Sequence, residues 1–157
     1  MTAPSGPLGK NSSGELGNGT QDDSYFPQKI EDEGVVAAWT SMSSSIYLKS
    51  DGTLWGMGNN SNKILQNINQ SKILQPVQIA TGVSKAAVGD NHLIYLDLNG
   101  TLWGRGRNLN GELGQLAGNE YRDPVVIISG GGDRSGRREL LFSGFTGGRE
   151  NFDLWEQ

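Results

Sequence analysis

The chain of 157 residues contains no cysteine and one histidine. Without cysteine there is no disulfide, no thiolate nucleophile and no thiolate zinc ligand, although compartment stays open. Lysine and arginine are dispersed until the last thirty residues and the formal net charge is −4. No basic stripe offers a footprint for phosphate backbones, so direct nucleic-acid binding is not expected. No apolar run approaches the ~20 residues of a membrane helix. The opening MTAPSGPLGK lacks the apolar segment of a signal peptide, which makes a cytoplasmic location the default expectation. Apolar residues make up only 34%, below the ordinary globular share. Four Trp, four Tyr and four Phe, with runs such as VVAAW and PVVII, still argue against disorder through the middle of the chain.

Glycine, by contrast, is plentiful at 24 residues. With so little apolar content, that suits short strands and sharp turns better than long helices. The arrangement is repetitive. SDGTLWGMGNN, ending at Asn60, returns as LNGTLWGRGRN, ending at Asn108. GKNSSGELG from Gly9 aligns with GNNSNKILQ from Gly58 and with GRNLNGELG from Gly106. Pro27, Pro76 and Pro124 correspond, as do Ile46-Tyr47-Leu48 and Ile94-Tyr95-Leu96. The unit is about fifty residues.

Each unit reads as sheet. Residues 43–49 and the run from Thr53 flank Asp51-Gly52, and Asn99-Gly100 repeats the arrangement. An Asp-Gly or Asn-Gly pair between extended runs predicts a two-residue hairpin turn with φ > 0 at both positions. Val35–Thr40 and Val83–Gly89 supply a further strand each. Phe26–Ile30, Pro76–Ala80 and Pro124–Ile128 supply a fourth, Pro being tolerated at an edge. Four short strands per fifty-residue unit is the pattern of a β-propeller blade. Gly14, Gly17 and Gly19 suit a sharply turning loop. Trp55 and Trp103 suit the gap between neighbouring sheets.

The series GELGNGT, a Pro, a VAA-type strand, a Ser or His, and DGTLWxxGxN resembles the repeat of the regulator of chromosome condensation family, over about Gly9 to Ile128. LWGMGNN looks more like the family's bacterial branch than its eukaryotic exchange factor. The resemblance implies blades of a seven-bladed propeller. The family's founding member is a nucleotide-exchange factor for the GTPase Ran and docks on nucleosomes, but no motif for exchange is found in this chain.

The expected fold is therefore all-β: an incomplete propeller with about two full four-stranded blades and partial blades at both ends. Residues 1–8 read as a disordered N-terminal segment. Residues 9–128 hold the repeats, in units of about 9–57, 58–105 and a partial 106–128. Residues 129–157 read as a divergent tail. Four Arg fall between Arg134 and Glu150, and a one-nucleotide shift from about Gly136 permits a third repeat, so the tail is an out-of-frame or a disordered segment. In the middle unit Lys63, Gln66 and Ile68 replace the loop glycines, so that loop is strained or takes another path.

Candidate chemistry is sparse. Gly131 to Gly136 has phosphate-loop spacing, but Arg137-Arg138 stands where Lys then Ser/Thr is required. Gly56-x-Gly58 and Gly104-x-Gly106 lack the third glycine and helix of a dinucleotide site. His92 has no nucleophile or metal-ligand set around it and resembles the family's structural residue before the inner hairpin strand. Asp22-Asp23 and Glu31-Asp32-Glu33 lack the alternating oxygens of a calcium loop. Five Asn-x-Ser/Thr triplets begin at Asn11, Asn18, Asn59, Asn69 and Asn99 and matter only on a secretory route.

No catalytic, cofactor or metal residue is expected, and no cofactor. The expected role is a protein-interaction module, a fragment of a longer propeller, with a protein partner, no membrane, and self-association through open blade edges. The alternatives are a regulator of a small GTPase, by family analogy, and a gene remnant.

Overall fold

A computed structural model of the protein describes residues 7–30 and 33–130. The phosphate-loop spacing, the out-of-frame reading, Glu31, Asp32 and most of segment 1–8 lie outside the described residues.

Alternation of apolar and polar side chains builds two antiparallel sheets of four strands, each in chain order. The first holds β1 (Val35–Thr40), β2 (Ser44–Lys49), β3 (Leu54–Asn59) and β4 (Lys72–Ala80). The second holds β5 (Val83–Val88), β6 (His92–Asp97), β7 (Leu102–Asn108) and β8 (Asn119–Ile128). Identical registers follow from the repeated sequence: Tyr47 faces Trp55 and Leu48 faces Leu54, as Tyr95 faces Trp103 and Leu96 faces Leu102. This is the all-β, open-propeller architecture of two four-stranded blades. The sheets begin at Val35 and Val83, so units counted from Gly9 cut each sheet within its third strand.

The hairpins differ from the two-residue turn expected. Gly52 and Gly100 have positive φ, but Asp51 and Asn99 do not. Gly52 N donates to Lys49 O, and Lys49 N donates to Thr53 O. This is a type I turn closed by a left-handed glycine bulge, so only the glycine needs the unusual backbone.

The fourth strands start earlier than Pro76 and Pro124. Pairing steps from Gly58↔Ile73 to Gly56↔Val77, and from Gly106↔Tyr121 to Gly104↔Val125. Each fourth strand thus carries two extra residues in a bulge. The proline sits there, on an edge strand, where its missing N–H costs no ladder bond. Phe26–Ile30 is not a strand. A fourth strand forms by pairing with a third, and among the described residues no strand precedes Gly9. An isolated bridge, Gly9↔Ser24, and bonds from Gln28 N to Pro7 O and from Gln28 Nε2 to Ser24 Oγ help to hold that segment.

Ile46, Leu48 and Leu54 share one face of the first sheet, and Leu93, Tyr95 and Trp103 share one face of the second. With Leu65 and Val83 they form one core between the sheets. Met57, on the opposite face of the first sheet, lies near Gly17 and Ile30 of the N-terminal segment. Trp55 shares that face. Tyr47 stacks on Trp55 and Tyr95 on Trp103, each with centroids 6.5 Å apart. Ile94, Leu96 and Leu102 occupy the positions of Ile46, Leu48 and Leu54. They are half-buried, where their counterparts are 1%, 5% and 0% exposed. The second sheet has the same apolar face with less cover.

The middle loop reconciles both expectations made for it. Lys63 keeps the left-handed backbone of Gly14 and Gly111, with φ 57° against 86° and 83°. Gln66 and Ile68 do not adopt positive φ, so the chain takes another path there. A side chain in this region costs about 1–2 kcal/mol, and glycine returns some of that through unfolded-chain entropy. Lys63→Gly is therefore expected to stabilise the protein by about 0.5–1 kcal/mol, read as a higher urea midpoint at unchanged slope.

Candidate functional site

In each sheet the β1–β2 and β3–β4 type connections lie at one end and the tight hairpins at the other, as antiparallel order requires. The long-loop end is organised by three equivalent asparagines, Asn11, Asn60 and Asn108, each 0% exposed. Asn60 Oδ1 accepts from Leu65 N and Gln66 N, while its Nδ2 donates to Gln66 O and Gln70 O. Asn108 Oδ1 accepts from Leu113 N, and its Nδ2 donates to Gln115 O and Leu116 O. Asn11 Oδ1 accepts from Leu16 N, and its Nδ2 reaches Thr20 O and Asp22 O. One amide thus satisfies the backbone of a whole turn, as buried polar groups require. It also drives a leucine into the core: Leu16, Leu65 and Leu113 are 2%, 0% and 1% exposed.

The glycine pairs now have distinct reasons. A Cβ on Gly56 would sit 2.7 Å from Leu65 Cδ2, and on Gly104 2.9 Å from Leu113 Cδ2. These glycines make room for the leucines. Gly58 and Gly106 have φ of 104° and 105° and lie against the backbone of the preceding turn. None of this forms a nucleotide site.

Arg105 lies in the core between the sheets, 4% exposed, where the first sheet has Met57. Its Nη1 donates to Leu65 O at 3.3 Å and its Nη2 to Arg122 O at 2.5 Å. Nε has no partner, and no carboxylate among the described residues pairs with it. Burial lowers its pKa, opposed by the neighbouring Tyr95 and Asp123; burial raises that of Tyr95, opposed by Arg105. A buried, incompletely paired charge is costly. Arg105→Met, copying the first sheet, is expected to stabilise the protein by about 1 kcal/mol. Arg105→Ala, which also removes packing, should cost about 2 kcal/mol. Thermal denaturation of both variants checks the sign change.

The hairpin end is held by carboxylates. Hydrogen bonds from Trp103 Nε1 and then the Thr101 amide lower the pKa of Asp97. The Thr53 hydroxyl and then its amide lower that of Asp51. At the loop end its own amide and that of Asn110 lower the pKa of Glu112. These carboxylates hold turns.

His92 opens β6 with its ring against Gly89. Its ring makes no hydrogen bond among the described residues. Asp22, Asp23 and Glu33 are exposed. No cluster of His, Cys, Asp and Glu suited to a metal occurs among the described residues, and no helix there is long and apolar enough to cross a membrane. Of the five triplets, Asn11 is buried and fully engaged, whereas Asn69 and Asn99 are exposed.

The long-loop end carries a feature that sequence reading did not find. Met42, Ile68, Leu109 and Leu116 are 82%, 36%, 48% and 81% exposed on it. The loops beneath are tied across the sheets. Met42 N donates to Asp90 Oδ1 at 2.9 Å, Asn62 Nδ2 to Asn91 Oδ1 at 2.6 Å, and Asn67 Nδ2 to Asp123 Oδ1 at 3.2 Å. Apolar side chains are thus presented on fixed loops.

Residues 83–112, which run from β5 through β7 into the Asn108 loop, match the regulator of chromosome condensation (RCC1) repeat. Human WBSCR16 is similar in structure over 76% of this chain and 32% of its own, at 22% identity and a TM-score of 0.65. Prp20p of Saccharomyces cerevisiae, described with its binding to Gsp1p and histones, is similar over 78% and 33%, at 16% identity and a TM-score of 0.66. Yeast RCC1 (Prp20) bound by Kap60 is similar over 82% and 35%, at 15% identity and a TM-score of 0.60. Identities this low speak for the shared fold alone. The chain spans about a third of the length of these structures, and no curated protein matches it.

Proposed function

We propose that this regulator of chromosome condensation repeat segment is a protein-binding module, part of a larger propeller, that engages its partner through the long-loop end. The observation that carries this is the set of exposed apolar side chains Met42, Leu109 and Leu116 on loops held in place, the first by its bond across the sheets to Asp90 and the other two by the Asn108 amide beneath them. Preorganised loops lower the ordering cost of association, and methionine adapts to varied partner surfaces. Binding of Gsp1p and histones by Prp20p, and of Kap60 to it, shows what propellers of this fold do elsewhere. Enzymatic catalysis is not proposed, because no nucleophile, acid and base converge among the described residues.

The test is site-specific photocrosslinking in cell extract. A crosslinker at Met42 or Leu116 should trap the same partner, while one at Leu98, exposed on the hairpin end, should not. Equal trapping from both ends would refute the assignment. Exchange of guanine nucleotide on a Ran-type GTPase is expected to be no faster with the chain than without it; acceleration would favour the regulator reading instead.

A further inference from the structure

Three Asn-Gly pairs occur in the described residues: Asn18-Gly19, Asn99-Gly100 and Asn110-Gly111. Such pairs can deamidate without an enzyme. The glycine backbone nitrogen, having lost its proton to solvent, attacks the asparagine Cγ. A C–N bond forms, the Cγ–Nδ2 bond breaks and ammonia leaves. Water then opens the cyclic imide to aspartate or to a β-linked isoaspartate. The asparagine side chain must be free to turn, and the glycine N–H must be released from any acceptor.

The three pairs differ in what holds them. Asn18 Oδ1 accepts from Asn11 Nδ2, Thr20 N and Thr20 Oγ1, and Gly19 N donates to Leu74 O at 2.9 Å. Asn110 donates from both N and Nδ2 to the Glu112 carboxylate, and Gly111 N donates to Asn108 O at 3.3 Å. Asn99 is exposed, and its side chain makes no hydrogen bond among the described residues. Its backbone is held by the bonds from Asn99 N to Asp97 Oδ1, 2.8 Å, and from Gly100 N to Asp97 O, 3.1 Å, and it lacks the side-chain bond that Asn110 and Asn18 must also break. The backbone of the turn accepts an aspartate, since Asp51-Gly52 occupies the equivalent turn of the first sheet, beside Lys49 where the second sheet has Asp97. There Asp51 Oδ1 accepts from Thr53 N and Thr53 Oγ1.

We propose that Asn99 is the chain's site of spontaneous deamidation, converting the second hairpin to the Asp-Gly form already present in the first and adding one negative charge. The isoaspartyl fraction lengthens the turn backbone by one carbon and disrupts the bond between Asp97 N and Thr101 O.

The folded 157-residue chain is incubated at mildly alkaline pH and its peptides are mapped by mass spectrometry, with chain kept in urea as reference. Each additional hydrogen bond that must break slows conversion by about fivefold. Asn99 is therefore expected to convert about fivefold faster than Asn110 and more than roughly tenfold faster than Asn18. In urea the three rates should converge. Faster conversion at Asn110 or Asn18 in the folded chain, or protection of Asn99 equal to theirs, overturns the proposal. Asn99→Asp supplies a second check: it should melt with the unmodified protein, and a clearly lower melting temperature would show that the turn does not accept the product.

Discussion

Asn60→Ala is expected to lower the stability of the protein by about 3–5 kcal/mol, a large share of the ~5–15 kcal/mol that holds a domain together. Asn60 is 0% exposed and makes four hydrogen bonds, two accepted from Leu65 N and Gln66 N and two donated to Gln66 O and Gln70 O. Alanine removes all four partners and leaves backbone groups stranded, at ~1–3 kcal/mol each before local relaxation. The loop then loses its shape, and Leu65 its seat against Gly56 and the core. Asn60→Asp sharpens the test. It keeps volume and acceptor but turns a carboxylate oxygen toward the carbonyls of Gln66 and Gln70, so it should cost about as much. Urea unfolding of both variants gives the measurement. A loss under ~1 kcal/mol in each would show that the loop holds its shape without the asparagine.

Gly58→Ala should be comparably severe, about 3–5 kcal/mol, from strain and overpacking together. The residue has φ of 104°, and an added Cβ would collide with the Ser43 carbonyl oxygen and lie 2.8 Å from Ser44 Cα. Those neighbours are backbone of the turn between β1 and β2, so no rotamer change relieves the contact. Gly82→Ala is the matched control. Gly82 also has positive φ, at 65°, but nothing lies within 4 Å of its Cβ position. Only the backbone term remains there, about 1 kcal/mol. Equal losses at the two positions would mean that φ alone matters and that close approach does not.

Much of the architecture was legible because it is written twice. The strands β1, β2, β5 and β6 fall where alternation places them, and Trp55 and Trp103 lie on the returning strand of each hairpin. What misled was non-local. Phe26–Ile30 has a fourth strand's residues but, among the described residues, no third strand beside it, and pairing decides strand formation more than propensity does. Pro76 and Pro124 suggested strand starts, yet the bulges that hold them depend on the register with Gly56, Gly58, Gly104 and Gly106. The turn at Asp51-Gly52 needs one left-handed residue rather than two, because the strands leave it through a bulge.

The loops show the same division in finer grain. Asn11…Leu16, Asn60…Leu65 and Asn108…Leu113 recur at constant spacing and were visible in the repeat, but the glycines drew the explanation. Met42, Leu109 and Leu116 carry no periodic signal at all. They became a candidate binding surface only when the sheets brought their loops to one end. Arg105 is buried because its position faces the first sheet, as Met57 faces the N-terminal segment.

By itself the sequence determined the repeat, the all-β class, the place of Trp55 and Trp103 on the returning strand of each hairpin, and the family resemblance. Those depend on local alternation and on comparing the chain with itself. Only the tertiary structure decided which faces are covered, why each glycine is needed, what the asparagines hold, and which apolar side chains remain exposed. Burial and hydrogen-bond satisfaction are set by what arrives from elsewhere in the chain, so the same residues at equivalent positions, Ile46 and Ile94, meet different surroundings.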